Sequence, residues 1–311
     1  MKTTTSLMLV AVLCVYAGVV QSGPITDYME YGDTSASLQT LTTADTAGWD
    51  ANGWSAASSS VRYNISITNI AGVELSTNIV MGITGYANNI DGGTVVGLAS
   101  SGPAVTRGLS TPASDTLWVS LVTRFTFYTA VNLQQRVQVG VNGTTDDSFG
   151  MASGQPGAPN ATYRPLVLTN GVVATADTAG LPYPESLWLI LARLQTDASG
   201  VNDKLDLWLF RDTADLSALN TTVVDQAYAS FSVAEDDYWG SSITSLALLV
   251  QSARDPVASA QERYVFADNL RVSQGAPDEN QAVYQVLTGI PEPAMLVLAP
   301  LALLCLRRRA A

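Results

Sequence analysis

Histidine is absent from the 311 residues of this chain, and cysteine occurs only twice. Without imidazole, the chain lacks the general base of the usual serine and cysteine triads and the commonest zinc ligand. Cys14 and Cys305 lie near the two ends, in apolar segments that we expect the mature protein to lose. The domain between them therefore has neither a disulfide nor a thiolate metal site, and burial of a sizeable core must stabilise it.

Basic residues are also scarce, with 15 lysines and arginines against 27 acidic residues and a formal net charge of −12. When both terminal segments are set aside, 26 acidic and 11 basic residues remain, a formal charge of −15. Nucleic acids and anionic membranes are bound through basic surfaces, which this composition does not supply. Neutral glycans, divalent cations and basic partners are compatible with it.

The first 22 residues have the layout of a secretory signal peptide. Lys2 precedes an apolar run from Leu7 to Val20, and Ser22 stands before Gly23. A positive tip, an apolar region and small residues at the cleavage site are the three parts of such a peptide. We therefore expect export, with removal of residues 1–22.

The last 22 residues, 290–311, contain a Pro-Glu-Pro triplet, an apolar segment and an arginine cluster. The apolar segment, 294–306, has 13 residues, fewer than the roughly 20 that comfortably cross a bilayer, but tilt or local thinning allows insertion. Terminal arginines would then hold the end of the chain in the cytoplasm. The triplet is Pro291, Glu292 and Pro293, and the arginines are Arg307, Arg308 and Arg309.

This order of features resembles the PEP-CTERM sorting signal of Gram-negative bacteria that make extracellular polysaccharide. The resemblance implies a transient anchor in the inner membrane, recognition by an exosortase-type processing enzyme, removal of the tail, and release to the cell surface or extracellular matrix. It covers only about 22 residues. It therefore predicts the route of the protein and not its ligand.

The middle of the chain has the patterns of β-strands. Apolar and polar residues alternate in 61–67 and 136–141, as in strands with one buried face. Longer runs are rich in apolar and aromatic residues and are bounded by turn residues, which predicts strands buried on both faces. These runs are 116–128, 186–194, 204–212, 243–250 and 263–273. A hairpin loop is predicted between Leu194 and Lys204, and helical periodicity is lacking apart from short turns near 213–220.

We therefore predict an all-β domain at 23–276, a two-sheet antiparallel β-sandwich or jelly roll, followed by a linker at 277–289. Successive landmarks are similar, in their order, to those of the concanavalin A-like lectin/glucanase (laminin G-like) sandwich in exported PEP-CTERM proteins. The resemblance implies that fold, and another β-sandwich is the alternative. The landmarks are 27–54, 117–122, 186–194, 203–212 and 266–272.

No pattern of catalytic carboxylates is present. Glucanases of this family use a strand with Glu-x-Asp-x-x-Glu, and retaining hydrolysis needs two carboxyl groups about 5 Å apart. The acidic stretch 234–240 instead has adjacent acids, whose side chains point to opposite faces of a strand. We predict no catalytic residue and no enzymatic activity, and a divergent glycoside hydrolase is the less favoured alternative.

Three loop-like segments, 88–93, 142–147 and 201–206, carry the oxygen ligands that Ca²⁺ prefers. The same residue types form turns by capping their own backbone, and at each single segment this interpretation is favoured. We predict no cofactor, with a structural Ca²⁺ ion as the open alternative.

Two aromatic residues in a loop-like segment, Tyr238 and Trp239, stand beside acids and a glycine. Exposed aromatic rings beside carboxylates hold sugar rings in lectin-type sites, so these residues are the candidate ligand contacts. The alternative is that Trp239 fills the core, as aromatic side chains mostly do. Other tryptophans are predicted to be core residues or to pin the N-terminal segment across the sandwich; they are Trp49, Trp54, Trp118, Trp188 and Trp208.

The leading functional prediction is an exported, transiently membrane-anchored surface or matrix protein with a structural or adhesive, non-enzymatic role. The alternative is a glycan-binding, lectin-like module of the same fold. The expected partners are the processing enzyme and extracellular polysaccharide, and nucleic acid is not expected.

Overall fold

The computed structural model describes 17 segments of the chain. Both predicted targeting segments lie outside them except for Ile290, so the signal peptide and the sorting tail stay predictions. Within the described segments, no helix is long and apolar enough to span a membrane. The segments are 24–27, 48–50, 53–54, 61–63, 67–68, 74–75, 79–88, 95–97, 104–125, 135–153, 163–174, 187–197, 203–235, 239–251, 253–254, 262–263 and 265–290.

Antiparallel strands make up most of the described chain. In chain order they are β1 (Ile25–Asp27), β2 (Val61–Tyr63), β3 (Ile67–Thr68), β4 (Glu74–Leu75), β5 (Val95–Gly97), β6 (Val105–Ala113), β7 (Thr116–Phe125), β8 (Arg136–Val141), β9 (Ser148–Ser153), β10 (Tyr163–Thr169), β11 (Val172–Val173), β12 (Leu187–Gln195), β13 (Asp203–Arg211), β14 (Ala229–Glu235), β15 (Ile243–Gln251), β16 (Ala253–Arg254), β17 (Glu262–Arg263) and β18 (Val265–Gln274).

Two sheets pack face to face. The larger has the order β14-β13-β12-β7-β18-β5-β2, with β1 also paired to β18, and the smaller has the order β11-β10-β9-β8-β15-β6. Strands β3 and β4, and β16 and β17, form separate two-stranded ribbons. The predicted all-β, two-sheet antiparallel sandwich is therefore confirmed. The hairpin predicted between Leu194 and Lys204 is also present, with Gln195 opposite Lys204.

Alternate residues of the strands fill the core between the sheets. On β7, Leu117, Val119 and Leu121 face this core, and the small sheet contributes Val137 and Val139 from β8. All five side chains are at most 1% exposed. The alternation of apolar and polar residues in 136–141 thus belongs to a strand that turns one face to the core.

A second apolar layer covers the outer face of the larger sheet. Trp118, Val122, Leu189 and Phe210 belong to a separate buried cluster on this face. Segment 79–88, a 3₁₀ helix at Thr221–Gln226 and a C-terminal α-helix cover that cluster. This layer explains why β7, β12 and β13 carry apolar residues on both faces, as predicted for strands buried on both faces.

The predicted linker at 277–289 is wrong, because most of it forms helix α1 (Glu279–Thr288). The side chain of Asp278 caps the helix by accepting the N–H of Gln281 at 2.9 Å, and Gly289 ends it with a φ of 69°. Val283 and Val286 are fully buried against the sheet. Residues 279–288 therefore belong to the folded domain. In the sequence, this helix was indicated by its two capping residues and by apolar residues spaced along one face.

Candidate functional site

Trp239, the predicted ligand contact, lies in the core between the sheets with 7% of its surface exposed. Its backbone N–H donates to Oδ2 of Asp203 at 3.0 Å, and its backbone carbonyl accepts from Nδ2 of Asn142 at 2.9 Å. Hydrogen bonds on both backbone groups fix this residue, and its ring offers no exposed platform for a sugar. Trp239 therefore occupies the core, as in the alternative interpretation, while Tyr238 lies outside the described residues.

The N-terminal tryptophans pin their segment to the sandwich as predicted. Trp49 and Trp54 are each 2% exposed. Trp49 donates its Nε1–H to the carbonyl of Thr26 at 3.0 Å, and residues 48–50 pair with β6 through Gly108 and Ser110. Their buried rings close one side of the core and are not part of a surface site.

Two of the segments with oxygen ligands are largely described, and their side chains serve the fold. Asn142 accepts the N–H of Thr244 at 2.8 Å, and Asp203 accepts that of Asp197 at 2.9 Å. Both side chains thus hold other segments in place through their backbone N–H groups, rather than capping their own turns. In the segments that the structure describes, no group of three or more acidic or thiol side chains is placed to hold a metal ion. Residues 89–93 and 201–202 lie outside these segments.

A cleft of about 190 Å³ opens at the N-terminal end of α1. Strands β7 and β18 form its floor, where Trp118 lies opposite Ser273 in the register. The turn between β6 and β7 forms one wall, and the loop 275–278 that leads into α1 forms the other. The residues used in the following argument are Asp115, Thr116, Trp118, Ser273, Asp278 and Glu279.

The indole of Trp118 belongs to an aromatic and ionic cluster on this face. Its ring stacks on that of Trp208, with centroids 5.5 Å apart and planes at 10°. The guanidinium carbon of Arg193 lies 5.7 Å from the centroid of Trp118 and 5.9 Å from that of Trp208. Trp208 is half-buried, whereas the sequence predicts a core residue. Trp208 therefore lies at the edge of the apolar layer, packed against its buried cluster.

Two carboxylates hold Arg193 in place. Nη2 donates to Oδ2 of Asp206 at 2.7 Å, and Nη1 donates to both carboxylate oxygens of Glu279 at 2.8 and 3.0 Å. Burial disfavours the charge on Asp206, but hydrogen bonds from Ser232, Arg193 and Lys204 outweigh it and hold the pKa of Asp206 below its ordinary value. Asp206 is therefore ionised at neutral pH.

The polar groups that line the cleft leave hydrogen-bonding capacity unused. Trp118 is 1% exposed, and its Nε1–H has no hydrogen-bond partner among the described residues. Buried polar groups normally have a partner, so this donor is unusual. Thr116 at the rim makes a long contact of 3.4 Å to Oδ1 of Asp115. The rim of the cleft therefore presents a hydroxyl and carboxylate acceptors to whatever enters it, while the Nε1–H of Trp118 is buried.

The sequence did not identify this cleft. Its residues come from three regions, 115–118, 273 and 275–282, and the neighbouring Arg193 and Asp206 come from two more. The one residue of the cleft that the sequence analysis had singled out was Trp118, whose side chain lies on the face of β7 opposite to that of Leu117 and Val119. Trp118 is buried as predicted, and the sequence did not indicate that α1 would begin beside it.

Comparison with known proteins gives similarity at the level of the fold. No protein-family model matches the chain, and no curated protein matches it. The solved structures similar to it include lectin I-B4 from Griffonia simplicifolia, with 11% identity, 69% of this chain and 92% of that chain covered, and a TM-score of 0.33. An alginate lyase, vAL-1, from a Chlorella virus has 9% identity over 60% of this chain and 88% of its own, with a TM-score of 0.36.

A xylan β-1,4-xylosidase from Bacillus halodurans is similar over 61% of this chain, with 9% identity and a TM-score of 0.35. The chain spans 34% of the length of that enzyme. These similarities concern the two-sheet architecture alone.

Proposed function

We propose that this protein is a non-enzymatic, glycan-binding β-sandwich with an adhesive role at the cell surface or in the extracellular matrix. The cleft at the start of α1 is the observation that supports the proposal. It presents the Thr116 hydroxyl and the carboxylates of Asp115 and Asp278, and sugars match such a surface with hydroxyls that both donate and accept. Its volume of about 190 Å³ is below the roughly 300 Å³ of the smallest drug-sized pockets, which suits one sugar ring.

The ionisation of Asp206 and the ion pair of Glu279 support binding over catalysis. Glycoside hydrolysis needs a protonated carboxylic acid with a raised pKa beside a second carboxylate. Asp206 has the opposite shift, because the hydrogen bonds that it accepts outweigh the effect of its burial on its pKa. Glu279 pairs with the same Arg193 that binds Asp206. Neither carboxylate is therefore arranged as a general acid.

The route to the surface is part of the proposal and depends on the two ends of the chain. An exported precursor would lose residues 1–22, insert transiently through 294–306, and be cut near Pro291-Glu292-Pro293 by an exosortase-type enzyme. The intact mass of the extracellular form tests this route. A mature protein in the medium that still ends at Ala311 contradicts processing, and substitution of both Pro291 and Pro293 by alanine should leave the tail uncut.

Binding is tested with full-length protein in mild detergent and a panel of neutral, cationic and anionic oligosaccharides, by calorimetry. Thr116→Val removes a hydroxyl from the cleft with little change in shape, and we expect affinity to fall about fivefold, the net effect of one hydrogen bond. Thr213→Val is the matched control, since Thr213 is exposed outside the cleft. A protein that binds no member of the panel, or that binds equally well after Thr116→Val, contradicts the proposed site.

A further inference from the structure

We infer that strand β14 is a homodimer interface, at which the larger sheets of two copies of this chain join edge to edge. The inference goes beyond the proposed glycan binding and does not depend on it. Strand β14 has seven residues and is an outer strand of the larger sheet, paired with β13 alone among the strands that the structure describes. Every second residue of such a strand turns its backbone N–H and carbonyl groups away from the sheet. No backbone hydrogen bond joins these groups to another described segment.

The other outer strands of the two sheets, within the described segments, are short or covered. Strands β2 and β11 contain three and two residues. Strand β6 is covered, because residues 48–50 pair with it through Gly108 and Ser110. Strand β14 has neither protection, and it also lacks the prolines and lysines that commonly block pairing at a sheet edge. A long edge without these features is suited to the addition of another strand.

Exposed apolar side chains lie on the same side of the sandwich as this edge. Phe231 and Val233 of β14 are only half-buried at the margin of the core. Tyr228, which directly precedes the strand, is 44% exposed. The smaller sheet approaches β14 through β10, and the adjoining β11 carries Val172 and Val173, which are 67% and 45% exposed. Apolar surface of this kind beside an unpaired edge is typical of a protein–protein contact.

The sequence of β14 matches a second copy of itself. In an antiparallel pair about a twofold axis, all seven residues pair only when Ser232 lies on the axis. Phe231 of one copy then lies opposite Val233 of the other, on the core side of the joined sheet. Aromatic and β-branched residues opposite each other stabilise a strand pair. The two half-buried side chains would therefore complete each other's burial.

Charge favours this edge over the rest of the surface for self-association. The chain has 27 acidic and 15 basic residues, so two copies repel each other across most pairs of surfaces. The only charged residue of β14 is Glu235, and the twofold register puts it opposite Ala229 of the second copy. No like charges are therefore opposed along the strand pair. The contact uses the β14 edge of both copies, so association stops at the dimer.

Two double variants at the same positions test the contact and its register. Ser230 and Ala234 are exposed, and the twofold register places each opposite the other. Ser230→Glu with Ala234→Glu opposes like charges twice, whereas Ser230→Lys with Ala234→Glu makes two pairs of opposite charge. Sedimentation velocity of the full-length protein in mild detergent, over a range of concentrations, measures the dimerisation constant. We expect the first double variant to weaken the dimer about tenfold and the second to keep or tighten it.

Hydrogen exchange on the native protein locates the contact independently of the variants. Peptides that cover 229–235 should exchange more slowly as the protein concentration rises, because the outward N–H groups of β14 gain partners. Peptides from β7, in the middle of the sheet, should be unchanged. Thr213→Glu with Gln226→Glu adds the same charge at exposed positions outside β14 and is the matched control, which should dimerise as the native protein does. Urea denaturation checks that each variant is folded.

Four results would overturn the inference. The first is a native protein that stays monomeric at about 1 mM. The second is equal dimerisation of both double variants, which would place the contact elsewhere, including in the apolar tail. The third is a loss in the control as large as that in the like-charge variant, which would show repulsion by overall charge alone. The fourth is exchange at 229–235 that does not depend on concentration. None of these results bears on glycan binding at the cleft.

Discussion

Arg193 on β12 and Glu279 in the first turn of α1 are joined by two hydrogen bonds, from Nη1 to Oε1 at 2.8 Å and to Oε2 at 3.0 Å. Residues 86 positions apart thus connect the larger sheet to the helix that forms one wall of the cleft. The same guanidinium binds Asp206 through Nε and Nη2. The position of the helix start therefore depends on an ion-pair cluster beside the cleft.

Glu279→Gln should loosen the first turn of α1 without unfolding the protein. The side chain of Glu279 is 42% exposed, so solvent screening limits the expected loss in the free energy of unfolding to about 0.5 kcal/mol. Urea denaturation measures this loss, and Asp225→Asn, which removes an exposed charge elsewhere, should have no effect. A loss much above 1 kcal/mol would mean that the pair is more deeply desolvated than its exposure indicates.

Stability should fall at low pH, with a contribution from Asp206. Its pKa is lower in the folded protein, because the hydrogen bonds from Ser232, Arg193 and Lys204 outweigh the effect of burial. The unfolded chain binds this proton first, so the stabilisation is present above the unfolded pKa of about 4 and is lost as pH falls towards the lower folded pKa. Asp206→Asn should differ most from the native protein at neutral pH and least near pH 2. A constant difference across this range would contradict the argument.

Arg271→Met should destabilise the protein strongly. Arg271 is 1% exposed, and its Nη1 donates to the carbonyl of Leu287 at 2.6 Å while Nη2 donates to that of Ala87. These bonds satisfy carbonyls at the end of α1 and in segment 79–88, which methionine cannot do. We expect a loss of about 3 kcal/mol in urea denaturation, comparable to breaking a buried charged hydrogen-bond network. Arg164→Met, at a half-buried position on β10, is the control and should cost less.

Trp239→Ala and Trp239→Phe separate core packing from ligand binding. Because the ring is 7% exposed in the core, truncation to alanine should cost about 3 to 5 kcal/mol of stability. Phenylalanine keeps most of the buried volume, so Trp239→Phe should be folded and bind glycans as the native protein does. A folded Trp239→Phe variant that loses glycan binding would restore Trp239 as a direct ligand contact.

The strands were predictable from the sequence. Alternation of apolar and polar residues indicates one buried face, and a run of mostly apolar residues indicates two. The helix at 279–288 was not predicted, although Asp278 and Gly289 carry its caps, since its short apolar stripe stood outside the predicted domain. The roles of Trp239 and Trp208 were also not predictable. Trp208 is flanked by leucines and Trp239 by Tyr238 and Gly240, and local pattern does not state which ring another segment covers.

The sequence by itself determined a β-sandwich without thiols or histidine, with a strong excess of acidic residues, because composition and period do not depend on distant contacts. Only the tertiary structure decided where the cleft lies, because its walls and floor come from residues far apart in the chain. Asp115 on one wall and Asp278 on the other are 163 positions apart, and they meet at the cleft because β7 pairs with β18. Pairing between strands so far apart in the chain leaves no pattern in any short stretch of sequence.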